Sequence, residues 1–236
     1  WKNLVNDIST VDWKKFENLQ KLNLGFNQIS NIDKLQDIRT LEELNVSYNL
    51  LEGRFNFKVN NMKNLVYADF SNNKYSDIEY AKAQFTLKAL GYDGNGDGVA
   101  DGLSVPEYLK KAGITLSFKN QKLEMSTTIV KNGSEFVELD LPLIFKQLED
   151  IDHERTSFGI DSIGGIVEPE GTTVKLKVPN VAGSYTAVVS VDRKNGYNLA
   201  DLPLDDWRRE DGIGYGTTCT IKYTVVEGGY VPVTPG

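Results

Sequence analysis

Three copies of one short pattern fill most of the first third of the chain. The segments LQKLNLGFNQI, LEELNVSYNLL and LVYADFSNNKY begin at Leu19, Leu41 and Leu65, so the pattern recurs after 22 and then after 24 residues. Each copy reads leucine-x-x-leucine-x-leucine-x-x-asparagine-x-leucine, with other apolar residues at some leucine places. One such unit cannot bury its apolar side alone, so successive units must stack around a continuous core.

The spacing and the asparagine resemble the leucine-rich repeat family, whose units span about 20–29 residues. The resemblance implies a short strand in each coil, followed by an asparagine whose buried amide bonds to backbone groups of adjacent coils. We therefore assign Asn27, Asn49 and Asn73 to structure and not to chemistry. The segment NDISTV at Asn6 is similar to the tail of a further, partial repeat.

The outward-pointing strand residues are the candidates for binding a protein. They form columns that run across the predicted strands. One column is Gly25, Ser47 and Ser71, and another is Phe26, Tyr48 and Asn72. Exposed aromatic side chains beside amides and charges of both signs are typical of protein-binding surfaces. The alternative is an ordinary solvated sheet face. The predicted protein-binding residues are Lys21, Asn23, Phe26, Glu43, Asn45, Tyr48, Tyr67 and Asp69.

A glycine-rich acidic loop follows a predicted helix in SDIEYAKAQFTLKALG, where Ser76 and Glu79 have the spacing of a capping box. Asp93, Asn95 and Asp97 alternate, Gly98 follows, and Asp101 comes later. These are the first, third, fifth, sixth and ninth places of an EF-hand loop, and Val99 would offer its carbonyl oxygen. The stretch resembles EF-hand and dockerin-type calcium loops, which implies calcium as a cofactor.

One place in the loop departs from the EF-hand pattern. The twelfth place, which holds a bidentate carboxylate in the family, is Ser104, and Glu107 lies one helical turn later. We expect a weak structural calcium site with Asp93, Asn95, Asp97, Val99, Asp101 and Glu107 as ligands. The alternative is a metal-free polar turn. A dockerin needs two such loops, and we find one.

From Ile114 onward, short runs rich in valine, threonine and aromatics alternate with glycine, proline and asparagine, which predicts an all-β sandwich. VPNVAGSYTAVVSVD is similar to bacterial immunoglobulin-like and PKD-type repeats, which implies that Tyr185 forms a tyrosine corner. Residues 193–215 interrupt the last two strands, and Trp207 within them is either a packed structural residue or a binding anchor. Cys219, the single cysteine, is expected to be a buried small hydrophobe.

The net charge and the residue composition argue against several classes of function. A net charge of −7 argues against nucleic acid, and no apolar run approaches the roughly 20 residues of a membrane-spanning helix. With one histidine, His153, and one cysteine, a transition-metal cluster or a cysteine–histidine pair is not expected. The start WKNLVND suggests a trimmed piece of a longer protein.

We therefore expect a multi-domain chain. A leucine-rich repeat solenoid of α/β type covers residues 1–80, a short helix–loop–helix with the EF-hand-like loop covers 81–113, an all-β immunoglobulin-like sandwich covers 114–228, and 229–236 is a linker. This order resembles internalin-like bacterial surface proteins, which implies a non-enzymatic, extracellular adhesion module with a protein ligand. The alternative is an accessory spacer or carbohydrate-binding region of a large secreted enzyme or of a polysaccharide-degrading assembly.

Overall fold

The structure is a computed structural model that describes residues 4–103, 105–144, 156–162, 166–170, 173–193 and 213–228. The strands are β1 Lys21–Asn23, β2 Glu43–Asn45, β3 Glu52–Arg54, β4 Tyr67–Asp69, β5 Lys74–Asp77, β6 Thr115–Val130, β7 Phe136–Asp140, β8 Thr156–Ser162, β9 Ile166–Glu170, β10 Thr173–Lys177, β11 Gly183–Arg193 and β12 Ile213–Val226. The α-helices are α1 Glu79–Leu90 and α2 Val105–Lys111, and 3₁₀ turns span Trp13–Lys15, Asp33–Asp37 and Val59–Asn61. Predictions for Ser104, His153, Trp207 and the linker at 229–236 lie outside the described residues.

The three repeats form three parallel strands, each three residues long, because each coil contributes one short extended segment to a shared sheet. Strand β2 pairs in parallel with β1 and with β4, and β4 pairs in parallel with β6. The inward residues Leu44 and Ala68 are fully buried. The repeat period found in the sequence is therefore the stacking period of the solenoid.

One amide side chain per coil bonds across to the preceding coil, as the repeat pattern predicted for asparagine. Asn49 is representative. Its Nδ2 donates to the carbonyl oxygens of Leu24 at 2.9 Å, Val46 at 3.0 Å and Ser47 at 3.1 Å, and its Oδ1 accepts the N–H of Ile29 at 2.9 Å. The rungs of this amide ladder are Asn27, Asn49, Asn73 and Gln121.

The fourth rung, Gln121, was not foreseen from the sequence. Its Nε2 donates to the carbonyl oxygens of Phe70 and Phe118 at 3.0 and 3.2 Å, and its Oε1 accepts the N–H of Tyr75 at 2.9 Å. The surrounding segment LSFKNQKL keeps the apolar spacing of the repeat, with glutamine where the other coils have asparagine. Strand β6 thus completes the solenoid before it continues into the second half of the chain.

A cluster of aromatic rings fills the solenoid core next to the ladder. Phe55 lies at its centre, with ring centroids 4.9 Å from Phe70, 5.3 Å from Tyr75 and 5.2 Å from Phe118 in edge-on arrangements. All of these side chains are 5% exposed or less. Because Phe118 belongs to β6, this core joins the repeats to the β-rich half.

The second half continues the same sheet. The seven-stranded sheet has the order β1-β2-β4-β6-β12-β11-β8, and a second sheet has the order β7-β10-β9. Strand β12 is parallel to β6, whereas β11 is antiparallel to β12 and to β8. Cys219 on β12 is fully buried, as expected, and burial raises the pKa of its thiol to about 11.

Two helices enclose the acidic loop. Helix α1 ends at Leu90 with Gly91 as its C-cap, as the sequence predicts. The capping-box prediction is wrong, because Ser76 belongs to β5 and the Oδ1 of Asp77 accepts the N–H of Glu79 at 2.8 Å instead. Among the helices in the described part of the chain, none is long and apolar enough to cross a bilayer.

Candidate functional site

The outward side of β1, β2 and β4, together with the residue three places after the end of each strand, where the chain turns, forms a surface that we call the repeat face. It contains every residue predicted to bind a protein: Lys21, Asn23, Phe26, Glu43, Asn45, Tyr48, Tyr67 and Asp69. The strand register brings the predicted columns together, with Lys21 beside Glu43 and Glu43 beside Tyr67. The columns inferred from the repeat spacing are therefore real neighbours in space.

Lys21 and Glu43 form an ion pair on the repeat face, and the carboxylate of Asp69 lies beside a tyrosine hydroxyl. The Nζ of Lys21 lies 2.6 Å from the Oε1 of Glu43, and this hydrogen bond raises the pKa of Lys21. The hydroxyl of Tyr67 lies 3.5 Å from the Oδ2 of Asp69. Partial burial, followed by the charge of Asp69, raises the pKa of Tyr67, so its hydroxyl stays protonated as a donor at neutral pH.

The middle column serves local structure as well as the surface. The Oδ1 atoms of Asn23, Asn45 and Asp69 each accept the backbone N–H two residues later, at 2.9 Å in all three coils. These hydrogen bonds form a turn that sets where each strand ends. These side chains are therefore positioned firmly, and their presence needs no ligand to explain it.

Phe26 and Tyr48 form the most distinctive feature of the repeat face. Their rings stack with centroids 4.2 Å apart and an angle of 10° between the planes. The side chains remain 49% and 45% exposed, respectively. Two large aromatic rings are thus held rigidly together in contact with water.

The backbone of both residues is left-handed, with φ of 59° at Phe26 and 53° at Tyr48. This conformation disfavours bulky side chains by roughly 1–2 kcal/mol. The equivalent residues of the next two coils, Asn72 and Asn120, have φ of 56° and 53°, and asparagine tolerates that region well. The coil geometry alone therefore does not require an aromatic residue at this place.

The acidic loop forms a compact turn built on Asp93. Its two carboxylate oxygens accept the N–H of Gly96 at 2.7 Å and of Gly98 at 2.8 Å. These bonds, the one from Gly98 foremost, hold the pKa of Asp93 below its usual value. Gly98 has φ of 84°, a conformation that a side chain would strain.

The other predicted calcium ligands are engaged elsewhere or point outward. Asp97 accepts the N–H of Val99 at 2.8 Å, and the amide of Asn95 donates to Asp97 at 3.0 Å. Asp101 lies 3.3 Å from the ammonium of Lys111. Val99 is 67% exposed, and Glu107 is exposed in α2.

The carboxylates of the loop are not gathered around one point. Within the described ranges, no three histidine, cysteine, aspartate or glutamate side chains are grouped closely enough to hold one ion. The turn has the left-handed glycine that the pattern requires, with φ of 84° at Gly98. Binding would require the carboxylate of Asp101 to leave Lys111.

No protein-family model matches the chain, and no curated protein matches it. The fold is similar to that of the secreted internalin-like protein Lmo2445 from Listeria monocytogenes, with a TM-score of 0.50 and 16% identity over 89% of this chain and 60% of that one. The functional domain of InlJ from the same species aligns over 92% of this chain and 56% of that one, with 13% identity and a TM-score of 0.29. The chain thus spans less than two thirds of either protein, and the first similarity supports an internalin-like leucine-rich repeat fold.

Proposed function

We propose that the chain is a non-enzymatic, extracellular protein-binding or adhesion module of a bacterial surface or secreted protein, and that the repeat face is its binding surface. The observation that carries this proposal is the exposed stack of Phe26 and Tyr48 in left-handed backbone. Unfavourable backbone conformations cluster at ligand sites, where the surrounding structure holds them in place. Tyrosine is also enriched among the residues that contribute most to binding at protein interfaces.

The exposed stack should dominate binding. We expect the double substitution Phe26→Ala and Tyr48→Ala to weaken binding of the fluorescently labelled protein to a captured protein partner, or to cells that display one, by about 30- to 1000-fold, which corresponds to roughly 2–4 kcal/mol. The physical reason is the loss of a preformed apolar surface that the partner would cover. Flow cytometry or surface plasmon resonance would measure the change.

Phe16→Ala is the matched control, because Phe16 is 46% exposed and lies outside the repeat face. This control should bind as the unsubstituted protein does. Equal binding by the double variant would remove the stack from the interface, and equal loss in both variants would indicate non-specific adhesion through exposed rings.

The alternative role, an accessory spacer or carbohydrate-binding region of a secreted enzyme, gains no support from the described residues. The two rings stack on each other with centroids 4.2 Å apart, so one face of each is covered by the other ring and is closed to a sugar. A second function is therefore not proposed on that basis.

We also propose that the second half is an immunoglobulin-like sandwich. The orders β6-β12-β11-β8 and β7-β10-β9 support it, since sandwiches of this class pair their strands in two such sheets. The hydroxyl of Tyr185 donates to the carbonyl oxygen of Val181 at 2.7 Å, which is the bond of a tyrosine corner. In this role the sandwich would hold the solenoid end rigidly.

We propose further that residues 93–101 bind calcium weakly. The alternating oxygen ligands and the left-handed Gly98 support this proposal. Calcium would supply the charge that offsets three aspartates within nine residues. Asp93 and Asp97 would hold the ion, with Asn95, the Val99 carbonyl, Asp101 and Glu107 as further ligands.

Calorimetric titration with calcium should give a dissociation constant on the order of 10⁻⁴–10⁻³ M, because the twelfth place carries no carboxylate. Saturation at about 100 times that constant should stabilise the folded loop by about 2.7 kcal/mol. Asp97→Ala should abolish the heat of calcium binding. Glu107→Gln would show whether Glu107 contributes to the affinity for calcium. Absence of heat, with the same melting curve in chelator and in calcium, would show a metal-free turn.

A further inference from the structure

A second surface lies where the solenoid meets the β-rich half, and it begins at Asn72, the residue that follows Tyr48 in its column. It is a groove of about 850 Å³ whose walls come from β3, β5, β6 and β12. Its polar walls include Asn72, Lys74, Asn120, Lys122, Thr218 and Thr220. Strand β12 forms one wall, because it pairs with β6 from Leu116 to Val130.

Lys74 and Lys122 occupy equivalent places in adjacent coils, one residue after the ladder amides Asn73 and Gln121. The N–H of Lys122 donates to the carbonyl oxygen of Asn73 at 2.8 Å, so the two backbones are direct neighbours. The same place in the first two coils holds Gln28 and Leu50. The paired cations are therefore specific to this end of the solenoid.

The carboxylates along the groove do not neutralise this pair. Glu124 is bound to Lys222 at 3.1 Å. Glu52 is in register with Lys74 on the neighbouring strand, and neither Lys74 nor Lys122 makes an ion pair with a described residue. Counted with Lys222, three lysines thus stand against Glu52 and Glu124 in and beside the groove, on a chain whose net charge is −7.

The remaining wall groups are suited to a peptide backbone. The side-chain amides of Asn72 and Asn120 have no partner among the described residues, and the hydroxyls of Thr218 and Thr220 are half-buried beside them. The lining contains no aromatic ring on which a sugar could stack. Donors and acceptors along a strand-lined groove match the N–H and C=O groups of an extended segment.

We propose that this groove binds an extended acidic segment of a protein partner, with a carboxylate between Lys74 and Lys122. Charge complementarity selects the occupant, since a carboxylate placed between two lysines that make no other ion pair in the described part of the chain would be attracted to both. The proposal goes beyond the repeat-face function and does not depend on it. Phe26→Ala with Tyr48→Ala should leave this binding unchanged.

Fluorescence anisotropy with a fluorescein-labelled peptide of alternating glutamate and glycine tests the proposal on the whole chain. The peptide should bind at about 20 mM salt and dissociate as the salt is raised to about 300 mM, because exposed charges are screened. A peptide with glutamine in place of glutamate should bind at least about tenfold more weakly. Lys74→Gln with Lys122→Gln should reduce the affinity for the glutamate peptide by about tenfold or more.

Lys58→Gln with Lys63→Gln is the matched control, because it changes the net charge equally at two exposed lysines outside the groove. This control should bind the peptide normally. The proposal is overturned if the glutamate peptide does not bind, or if both lysine pairs reduce binding equally. Binding of heparin through Lys74 and Lys122, without binding of the acidic peptide, would also overturn it.

Discussion

Replacing Asn73 by alanine should lower the free energy of unfolding by about 3–5 kcal/mol. Asn73 is 1% exposed, and its Nδ2 donates to the carbonyl oxygens of Val46, Phe70 and Ser71 at 3.0–3.2 Å. Its Oδ1 accepts the N–H of Leu51 at 3.1 Å. Alanine removes these bonds and leaves buried backbone groups without partners, which is more costly than the loss of the bonds alone.

Asn27→Ala provides the internal comparison, because Asn27 is a ladder residue at the half-exposed end of the solenoid. Water can reach the backbone groups that this substitution leaves without partners, so we expect the free energy of unfolding to fall by about 1–2 kcal/mol. Urea unfolding followed by circular dichroism would measure both variants. Equal losses at Asn27 and Asn73 would contradict the view that burial of the ladder sets its energetic importance.

Phe118→Ala should lower the free energy of unfolding by about 3–5 kcal/mol, because it empties a closely packed aromatic site. Phe118 is 2% exposed and lies 5.1 Å from Phe70 and 5.2 Å from Phe55, ring centre to ring centre. Aromatic pairs add about 0.5–1.5 kcal/mol beyond the buried area. The exposed Phe16 is the control, and Phe16→Ala should change stability by less than about 1 kcal/mol.

The same variant tests whether the solenoid and the β-rich half unfold together. Cys219 is fully buried in β12, and burial raises the pKa of its thiol, so it should react with a thiol reagent only after β12 opens. In Phe118→Ala, thiol labelling and circular dichroism should both shift to lower denaturant by the same amount. A shift in circular dichroism without a shift in labelling would show two independent units.

The solenoid is the part of the fold that the sequence predicts best, because its core, its ladder and its strand register all follow from one period. Gln121 escaped prediction for two reasons. Glutamine replaces asparagine there, and the coil that ends at β6 is lengthened by α1, the acidic loop and α2. In the second half, β7, β10, β11 and the end of β12 follow the alternation of apolar and polar residues, whereas β8 and β9 are harder to find in the sequence because Gly159 and Pro169 interrupt them.

The columns of the repeat face could be predicted from the repeat period, but the backbone strain and the ring stacking at Phe26 and Tyr48 could not. The sequence places Phe26 beside Tyr48, whereas the left-handed backbone and the ring stacking depend on how each coil turns after its strand. The groove with Lys74 and Lys122 was not predictable, because it needs contact between β5 and a strand about 40 residues further along the chain. The calcium loop remains a prediction from spacing.

The proposed role of the aromatic stack is tested most directly by the double substitution Phe26→Asn and Tyr48→Asn. It installs the residue that this chain already has at the same place in its next two coils, Asn72 and Asn120. Relief of backbone strain, roughly 1 kcal/mol per residue, should offset the lost stacking of about 1 kcal/mol. The variant should therefore keep its melting temperature within a few degrees while its affinity for the partner falls by about 30-fold or more. Unchanged affinity in this stably folded variant would contradict the proposal that the stack is the binding anchor.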